Sequence, residues 1–253
     1  MEFIWLFQKG GEYNRRDFKN IDLRIFKNRV KQMKVIGDAV DWAGDLFESS
    51  DLFYGQGSDN SWDEALYLVL HVAHQDLDHF FNASEEESEL IFSKELTQEE
   101  IIQIKSLVNS RITKKIPLAY LINTAYFAGF EFYIDQRVII PRSPIAELIE
   151  SGLNLKLEGS ESFNISEATH VLDLCCGSGC IGIATALYYD FLKVDLADIS
   201  QEALEIAEIN IKKYGLENRV KKIKSNLFSS FISNPDLNHQ KYDLILCNPP
   251  YVN

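Results

Sequence analysis

Along the first 115 residues, apolar side chains recur at the spacing of amphipathic helices. Between Leu23 and Leu52 they come every three or four positions, at Phe26, Val30, Met33, Ile36, Val40, Ala43 and Phe47. A second apolar face follows over residues 65–73, and a third contains Ile101, Ile104, Val108 and Ile112. This period predicts helices rather than strands. We therefore expect residues 1–115 to form a helical domain.

Capping signals mark where two of these helices begin. Ser61 precedes Glu64 by three residues, and Thr97 precedes Glu100 by the same distance. With this spacing, each side chain can satisfy a backbone N–H group of the other residue at a helix start. We interpret the acidic run 84–89 as a charged connector, most simply a solvated face.

The pattern changes at Pro117, where aromatic and β-branched residues begin to dominate and continue to Ile140. Gly129 and the polar run 135–137 supply turns within this stretch. Short runs of this composition, separated by turn residues, are typical of β-hairpins. The sequence thus predicts a β-hairpin linker over residues 116–140.

From residue 141 onward, strand patterns alternate with helix patterns. The predicted strands are 170–174, 192–197, 220–223 and 242–247, and the clearest helix is 180–188. This alternation is typical of a parallel α/β sheet with helices packed on its faces. We assign residues 141–253 to a Rossmann-like α/β domain.

A glycine-rich turn joins the first of these strands to its helix. It reads Asp173-Leu174-Cys175-Cys176-Gly177-Ser178-Gly179-Cys180-Ile181-Gly182. Glycines let the backbone turn tightly and approach a ligand closely, and this position puts the ligand at the carboxyl end of the sheet. Asp198 closes the second strand 21 residues after Gly177. There a carboxylate can accept hydrogen bonds from both hydroxyl groups of a ribose.

Two cofactors fit this layout. Gly177, Gly179 and Gly182 satisfy the G-x-G-x-x-G pattern of nicotinamide dinucleotide sites, and an acid follows at the expected distance. However, no Arg or Lys lies near the loop to bind a pyrophosphate. Asp173 interrupts the strand end, where a carboxylate can face a cationic cofactor. These features favour S-adenosylmethionine.

The last predicted strand ends in Asn248-Pro249-Pro250-Tyr251. Adjacent prolines cannot continue a central strand or a helix, and neither has an N–H group. The turn therefore presents carbonyl oxygens without donors beside them, together with the side-chain oxygen of Asn248. Such a turn suits a planar group with two N–H donors, either a carboxamide or an exocyclic amine.

Composition narrows the class of partner. The net charge is −13, which disfavours nucleic acid as the main substrate and favours a basic protein. No apolar run reaches the length of a membrane span, so we expect a cytoplasmic protein without a membrane anchor. The four cysteines, Cys175, Cys176, Cys180 and Cys247, lack the Cys-x-x-Cys spacing of a zinc site. We expect no metal and reduced thiols.

Several segments match motifs of known methyltransferases. Residues 172–181 resemble motif I of the class I methyltransferases, and 194–200 resemble their acidic second motif. The turn at 248–251 is similar to the motif of amino-group methyltransferases that act on adenine or glutamine. The segment 140–149 narrows the resemblance to the protein-glutamine N(5)-methyltransferases. Within that family, the sequence of residues 53–65 is closer to the ribosomal-protein branch than to the release-factor branch, and so is Tyr126-Phe127-Ala128-Gly129.

The resemblance implies the fold and the site. It implies an enzyme that methylates one glutamine of the large-subunit ribosomal protein three. Its class I methyltransferase α/β fold is preceded by a hairpin linker and by the helical domain of residues 1–115, which we expect to recognise the substrate. The implied cofactor-binding residues are Asp173, Cys175, Cys176, Gly177, Ser178, Gly179, Asp198, Asn226, Leu227 and Asn248. The implied substrate-binding residues are Arg142, Asn248, Pro249, Pro250 and Tyr251, of which Asn248, Pro249 and Tyr251 are catalytic.

Two features depart from the family pattern. Asn226 stands where the family usually has Asp, so we expect weaker cofactor binding. The chain stops at Asn253, whereas the family continues, so we expect a C-terminally truncated sheet with an exposed apolar edge and poor activity. Three alternatives remain: a release-factor glutamine methyltransferase, a DNA adenine methyltransferase, and an inactive ribosome-assembly binding protein. Direct DNA binding is not expected, because the charge is acidic.

Overall fold

The computed structural model describes residues 33–55, 58, 60–153, 163–237 and 241–250. Two sequence predictions therefore fall partly or wholly outside the described residues. One is the first part of the helix predicted between residues 23 and 52. The other is the role of Tyr251.

Helices form the described part of the chain before the hairpin. They are α1 (Ile36–Glu48), α2 (Ser61–Val72), α3 (Leu77–Asn82), α4 (Glu85–Phe92), α5 (Gln98–Lys114) and α6 (Leu118–Leu121). Their apolar faces share one core, in which Phe47, Leu68 and Ile104 are fully buried. The apolar spacing at three and four residues predicted α1, α2 and α5, because that spacing puts the core residues on one side of each helix. Within the described residues, α1 is shorter than predicted, because residues 33–35 and 49–52 are not helical.

The start of α2 differs from the prediction. Asn60, not Ser61, caps the helix, and its side-chain oxygen accepts hydrogen bonds from two N–H groups of the first turn. Ser61 is the first helical residue, and its hydroxyl donates to Glu48 at 2.7 Å. Glu64 forms a buried ion pair with Arg111, with 2.9 Å between Oε2 and Nε. The predicted capping box is wrong here because α5 supplies Glu64 with a stronger, charged partner.

The run 84–89 is largely exposed, as predicted, but it begins a helix and is not a connector. Ser84 and Glu87 form a capping box that begins α4. The acidic residues lie in the first turn, where the positive end of the helix dipole stabilises negative charge. Thr97 and Glu100 form the predicted capping box at the start of α5.

A β-hairpin follows α6, as the aromatic pattern predicts. Strands β1 (Thr124–Phe127) and β2 (Phe130–Tyr133) pair antiparallel. Ala128 and Gly129 form the turn with φ angles of 48° and 75°. A two-residue turn with two positive φ angles matches the right-handed twist of a hairpin.

The rest of the chain forms a parallel α/β sheet. Its strands are β3 (His170–Leu174), β4 (Lys193–Asp198), β5 (Val220–Lys224) and β6 (Leu244–Cys247). Its helices are α7 (Ile145–Glu150), α8 (Cys180–Tyr188), α9 (Gln201–Lys213) and α10 (Ser229–Ser233), with a 3₁₀ turn at Ile165–Glu167. The strand order is β5-β4-β3-β6, and each neighbouring pair is parallel. This is the Rossmann-like arrangement that the sequence predicts.

The register of the sheet brings three strand ends together. Leu174 of β3 lies opposite Ala197 of β4 on one side and opposite Cys247 of β6 on the other. The segments that follow β3, β4 and β6 therefore leave the sheet at the same edge. Within the described residues β6 has a strand partner only on its β3 side, and Ile245 on it is 46% exposed.

Strand β6 begins two residues later than predicted, because the polar groups before it bind elsewhere. The Tyr242 hydroxyl donates to the buried Asp195 at 2.7 Å. The Asp243 carboxylate accepts hydrogen bonds from the N–H groups of Thr169 and His170 at 2.7 and 3.0 Å. None of the helices in the described residues has both the length and the apolar character needed to cross a bilayer.

Candidate cofactor and substrate site

The glycine loop, residues 175–179, needs a left-handed backbone at three positions. The φ angles of Cys175, Gly177 and Gly179 are 62°, 54° and 78°. A Cβ on Gly177 would meet nothing within 4 Å, whereas one on Gly179 would lie 2.9 Å from Leu196 Cδ1. Gly179 therefore allows close packing of the loop on the sheet. Gly177 leaves the loop open on the side where a ligand can approach its backbone.

Gly182, in the first turn of α8, allows this helix to pack against the ends of β3 and β4. A Cβ at this position would lie 2.3 Å from Leu196 Cδ2 and 3.0 Å from Asp173 Cβ. Such distances are too short for real atoms, so neighbouring groups in a buried region would have to move.

We expect Gly182→Ala to lower the free energy of unfolding by about 1–3 kcal/mol, the usual cost of overpacking a core. Urea unfolding followed by circular dichroism measures this change. Gly37→Ala is the matched control, because Gly37 also lies in the first turn of a helix, but a Cβ added there would meet its nearest neighbour, the Phe92 carbonyl oxygen, at an ordinary contact distance of 3.5 Å. Equal stability of Gly182→Ala and the wild type would show that the packing inferred from these distances is wrong.

Asp173 is fully buried in β3 beside this helix. Its Oδ2 accepts a hydrogen bond from the Gly182 N–H at 2.8 Å. Its Oδ1 has no hydrogen-bond partner among the described residues. Burial raises the pKa of this carboxyl to about 7, and the nearby charge of Asp198 acts in the same direction. A cationic donor would favour the charged form and satisfy the remaining acceptor.

Asp198, at the end of β4, binds the glycine loop directly. Its Oδ2 accepts a hydrogen bond from the Gly177 N–H at 2.9 Å, and its Oδ1 accepts one from the Ser200 N–H at 2.9 Å. Each carboxylate oxygen has two lone pairs, so both oxygens keep capacity for a ligand hydroxyl. The sequence predicts where Asp198 lies but not that it holds the loop.

The segment after β5 lies next to Asp198. The Ser225 N–H donates to the Asp198 carbonyl at 3.0 Å. The Ser225 hydroxyl donates to the Leu227 carbonyl at 2.7 Å and accepts from the Ser230 N–H at 3.0 Å. These bonds hold a turn in which Asn226 is exposed and Leu227, with φ of 49°, is 54% exposed. Both predicted cofactor residues therefore border the loop side of the sheet.

Sequence reasoning missed Ser225. A serine that directly follows a strand and bonds its neighbours' backbone is a common turn element. That rule is the signal that could have found it.

The proline turn continues β6 on the other side of β3. Asn248 is half-buried, and Pro249 and Pro250 are exposed. Strands lie about 4.8 Å apart in a sheet, so the ends of β4 and β6, two spacings apart, are separated by about 10 Å. Asp198 and Asn248 thus follow strands on opposite sides of the glycine loop, at the same edge of the sheet.

The cysteines of this edge are thiols in a poorly solvated environment. Cys175 follows β3 and Cys247 ends β6, and both side chains are partly buried in the same small apolar cluster. Burial raises the pKa of Cys247 to about 11 and also raises that of Cys175. Both groups are therefore neutral at pH 7 and serve as packing around the loop.

Arg142 contacts the N-terminal part of the chain. Within the described residues, its guanidinium donates a hydrogen bond to the Gly55 carbonyl at 3.3 Å. Gly55 belongs to the loop between α1 and α2. This bond joins Arg142 to a loop of the N-terminal helical part of the chain.

Residues 159–253 match the Methyltransferase small domain family. The parallel sheet, the glycine loop after β3 and the acid after β4 agree with this match. The fold and the family match together define a class I methyltransferase. A solved structure with some likeness is the human methyltransferase 10 domain containing protein, which is 15% identical. Its TM-score is 0.37, and the likeness covers 61% of this chain and 63% of that one.

Two relatives carry the name ribosomal protein uL3 glutamine methyltransferase. The one from Francisella tularensis subsp. tularensis is 42% identical over 226 residues, which cover 88% of this chain and 65% of the relative. The one from Bordetella pertussis is 37% identical over 229 residues, which cover 89% of this chain and 70% of the relative. The chain thus spans about two thirds of the length of these relatives. It belongs to the ribosomal protein uL3 glutamine methyltransferase family.

Proposed function

We propose that this chain transfers a methyl group from S-adenosylmethionine to the side-chain amide nitrogen of a glutamine in ribosomal protein uL3. The observation that carries the proposal is that Asp198 and Asn248 flank one glycine loop at the carboxyl edge of the sheet. A site of this kind offers a ribose acceptor on one side and an amide acceptor on the other. The names of the two relatives support the choice of glutamine and of uL3.

The residues present fit this cofactor. The loop from Cys175 to Gly179 would hold its methionine part, and Asp198 its ribose. Asn226 and Leu227 would border the adenine. The buried Oδ1 of Asp173, without a partner in the described residues, suits the cationic amino group, directly or through water. The bound cofactor supplies an electrophilic methyl carbon on a sulfonium.

The proline turn would orient the amide. An amide nitrogen is a poor nucleophile because its lone pair is delocalised into the carbonyl. The Asn248 side-chain oxygen and the Pro249 carbonyl would accept its two N–H groups, and Pro250 stiffens the turn. Correct orientation of reactants supplies about 7–11 kcal/mol in favourable cases. Tyr251, which lies outside the described residues, would pack against the amide.

The group transfer needs no further reactant. A C–N bond forms as the C–S bond breaks, and one N–H proton then leaves to solvent. Arg142 is proposed to contact the protein substrate from the side of the N-terminal helices, where it binds Gly55. The net charge of −13 favours a basic substrate such as a ribosomal protein.

Transfer of a labelled methyl group to defined substrates tests this function. Purified uL3, a peptide release factor and adenine-containing duplex DNA are each incubated with the chain and labelled S-adenosylmethionine. We expect label on uL3 alone, and mass spectrometry of its peptides should locate the methyl group on a glutamine side chain. Label on the release factor or on DNA would contradict the proposed substrate. Cofactor binding without transfer to any of the three would favour a non-catalytic role.

Cofactor binding should be coupled to proton release from Asp173. Burial raises the pKa of this carboxyl to about 7, so it is mostly protonated at pH 6, whereas a cationic ligand requires its charged form. We expect the affinity to rise by up to about tenfold per pH unit between pH 6 and 7 and to level off above. Calorimetry at pH 6 in buffers of different ionisation enthalpy should detect nearly one proton released.

The control for this prediction is Asp173→Asn, which keeps the size of the side chain but cannot ionise. Its cofactor affinity should be lower at pH 8 and should lose most of the pH dependence. A wild-type affinity that is constant between pH 6 and 8 would show that Asp173 does not face the cationic group.

A further inference from the structure

Helix α9 contacts both the hairpin and the glycine loop through one buried side chain. Asn210 is completely buried on this helix. Its Oδ1 accepts a hydrogen bond from the Tyr133 N–H at 2.8 Å. Its Nδ2 donates to the Tyr133 carbonyl at 3.0 Å and to the Ser178 carbonyl at 3.0 Å. One amide group thus binds strand β2 and the loop proposed to hold the cofactor.

The hydrogen-bonding groups fix the orientation of this amide. Only the oxygen can accept from an N–H group, and only the nitrogen can donate to two carbonyls. Both N–H donors are used. Aspartate has the same shape but cannot supply those donors, and glutamine is one carbon longer. Of these three residue types, asparagine is therefore the one that fits this position and can make all three hydrogen bonds.

Three further residues, on α9 or directly after it, bind the hairpin or the segment that follows it. The Tyr214 hydroxyl and the Lys213 ammonium both donate to the Glu131 carbonyl, at 2.7 and 2.9 Å. Glu205 pairs with Arg137 at 3.1 Å. Among these residues, Asn210 is the one that also reaches the glycine loop. Tyr214 therefore offers a control that loses a hairpin contact without touching the loop.

The hairpin in turn contacts the N-terminal helices. The Tyr126 ring of β1 lies 6.5 Å from the Tyr67 ring of α2, measured between centroids. Leu118 of α6 and Ile122, just before β1, pack into the core of those helices. A change in the position of the hairpin is thus transmitted to the helices by packed side chains.

We propose that Asn210 is a positioning residue, through which cofactor binding to the glycine loop is coupled to the position of the hairpin. Ser178 lies between Gly177 and Gly179 in the loop, where Asp198 already holds the Gly177 N–H at 2.9 Å. The bond from Asn210 gives the loop a second fixed point, and the same amide fixes β2. A cofactor that orders the loop therefore also orders the hairpin and, through it, the helices that face the protein substrate. The inference rests on the proposed function.

Amide hydrogen exchange tests the coupling without any protein substrate. Peptides covering residues 175–179 and 130–134 are followed by mass spectrometry, with and without saturating S-adenosylhomocysteine as the probe. In the wild type we expect at least fivefold slower exchange in both peptides. In Asn210→Ala we expect the loop peptide to remain protected while exchange of the hairpin peptide changes less than twofold. Tyr214→Phe should keep the full wild-type response, because Asn210 is intact.

The outcomes separate the inference from the proposed function. If the probe protects the loop but not the hairpin in the wild type, the coupling is wrong and the proposed function stands. An Asn210→Ala variant that keeps the hairpin response also contradicts the inference. If the probe protects neither peptide, cofactor binding fails, and the inference falls with the proposed function. Should Asn210→Ala not fold, Asn210→Ser replaces it, because a short neutral side chain introduces no buried charge and cannot bridge both segments; the same result is expected.

Discussion

Replacing Asn248 with alanine should lower methyl transfer to uL3 by about 5- to 150-fold and affect cofactor affinity far less. The amide oxygen of Asn248 is proposed to accept one N–H of the substrate glutamine. Without it, a donor in the bound complex stays unpaired, which costs about 1–3 kcal/mol. At about 1.4 kcal/mol per factor of ten, that cost gives the stated range. The measurement is the single-turnover rate of transfer, together with calorimetric titration of the cofactor.

Two variants make this result specific. Asn248→Asp keeps an oxygen acceptor on a side chain of the same shape, so it should retain more activity than Asn248→Ala. Asn218→Ala is the matched control, because Asn218 is exposed and lies just before β5, at the amino edge of the sheet, opposite the edge that carries the proline turn. If Asn248→Ala kept an activity within twofold of the wild type, the role proposed for the turn would be wrong.

Local rules were sufficient for the α/β part of the fold. Helix α8 runs over Cys180–Tyr188, the range that the sequence predicts. Gly179 ends the loop with a φ of 78° and the apolar run begins at the next residue, so both signals mark the same boundary. The predicted strands agree with β3, β4 and β5 to within one residue. The first two strands contain mostly buried apolar residues, as parallel strands covered on both faces usually do.

Contacts between distant segments explain what the sequence could not give. Glu64 has the spacing of a capping residue, but Arg111, 47 residues later, takes its carboxylate. Asn210 looks like a polar interruption of an apolar helix face until Tyr133, 77 residues earlier, is brought against it. A sequence window contains neither partner. Asp198 is an intermediate case, because its strand-end position is a local feature, whereas its bond to Gly177 depends on the pairing of β3 with β4.

Replacing Asp198 with alanine should weaken S-adenosylmethionine binding by at least about 100-fold. A hydrogen bond to a charged group contributes about 1.5–3 kcal/mol, and two ribose hydroxyls are proposed to donate to this carboxylate. The substitution also releases the Gly177 N–H, which Asp198 binds at 2.9 Å, so the glycine loop loses a constraint. Asp198→Asn keeps one oxygen acceptor without the charge, and its affinity should be intermediate. Calorimetric titration of each variant measures these affinities.

The control for Asp198 is an aspartate with the same backbone role at the other end of the sheet. The carboxylate of Asp243 accepts hydrogen bonds from the N–H groups of Thr169 and His170, at the amino ends of the strands. Asp243→Ala should therefore lower the stability of the sheet while leaving cofactor affinity within twofold. Because both variants expose backbone donors but only one removes the ribose acceptor, the difference between them isolates ligand contact from loss of fold. Equal affinities of Asp198→Ala and the wild type would place the cofactor elsewhere.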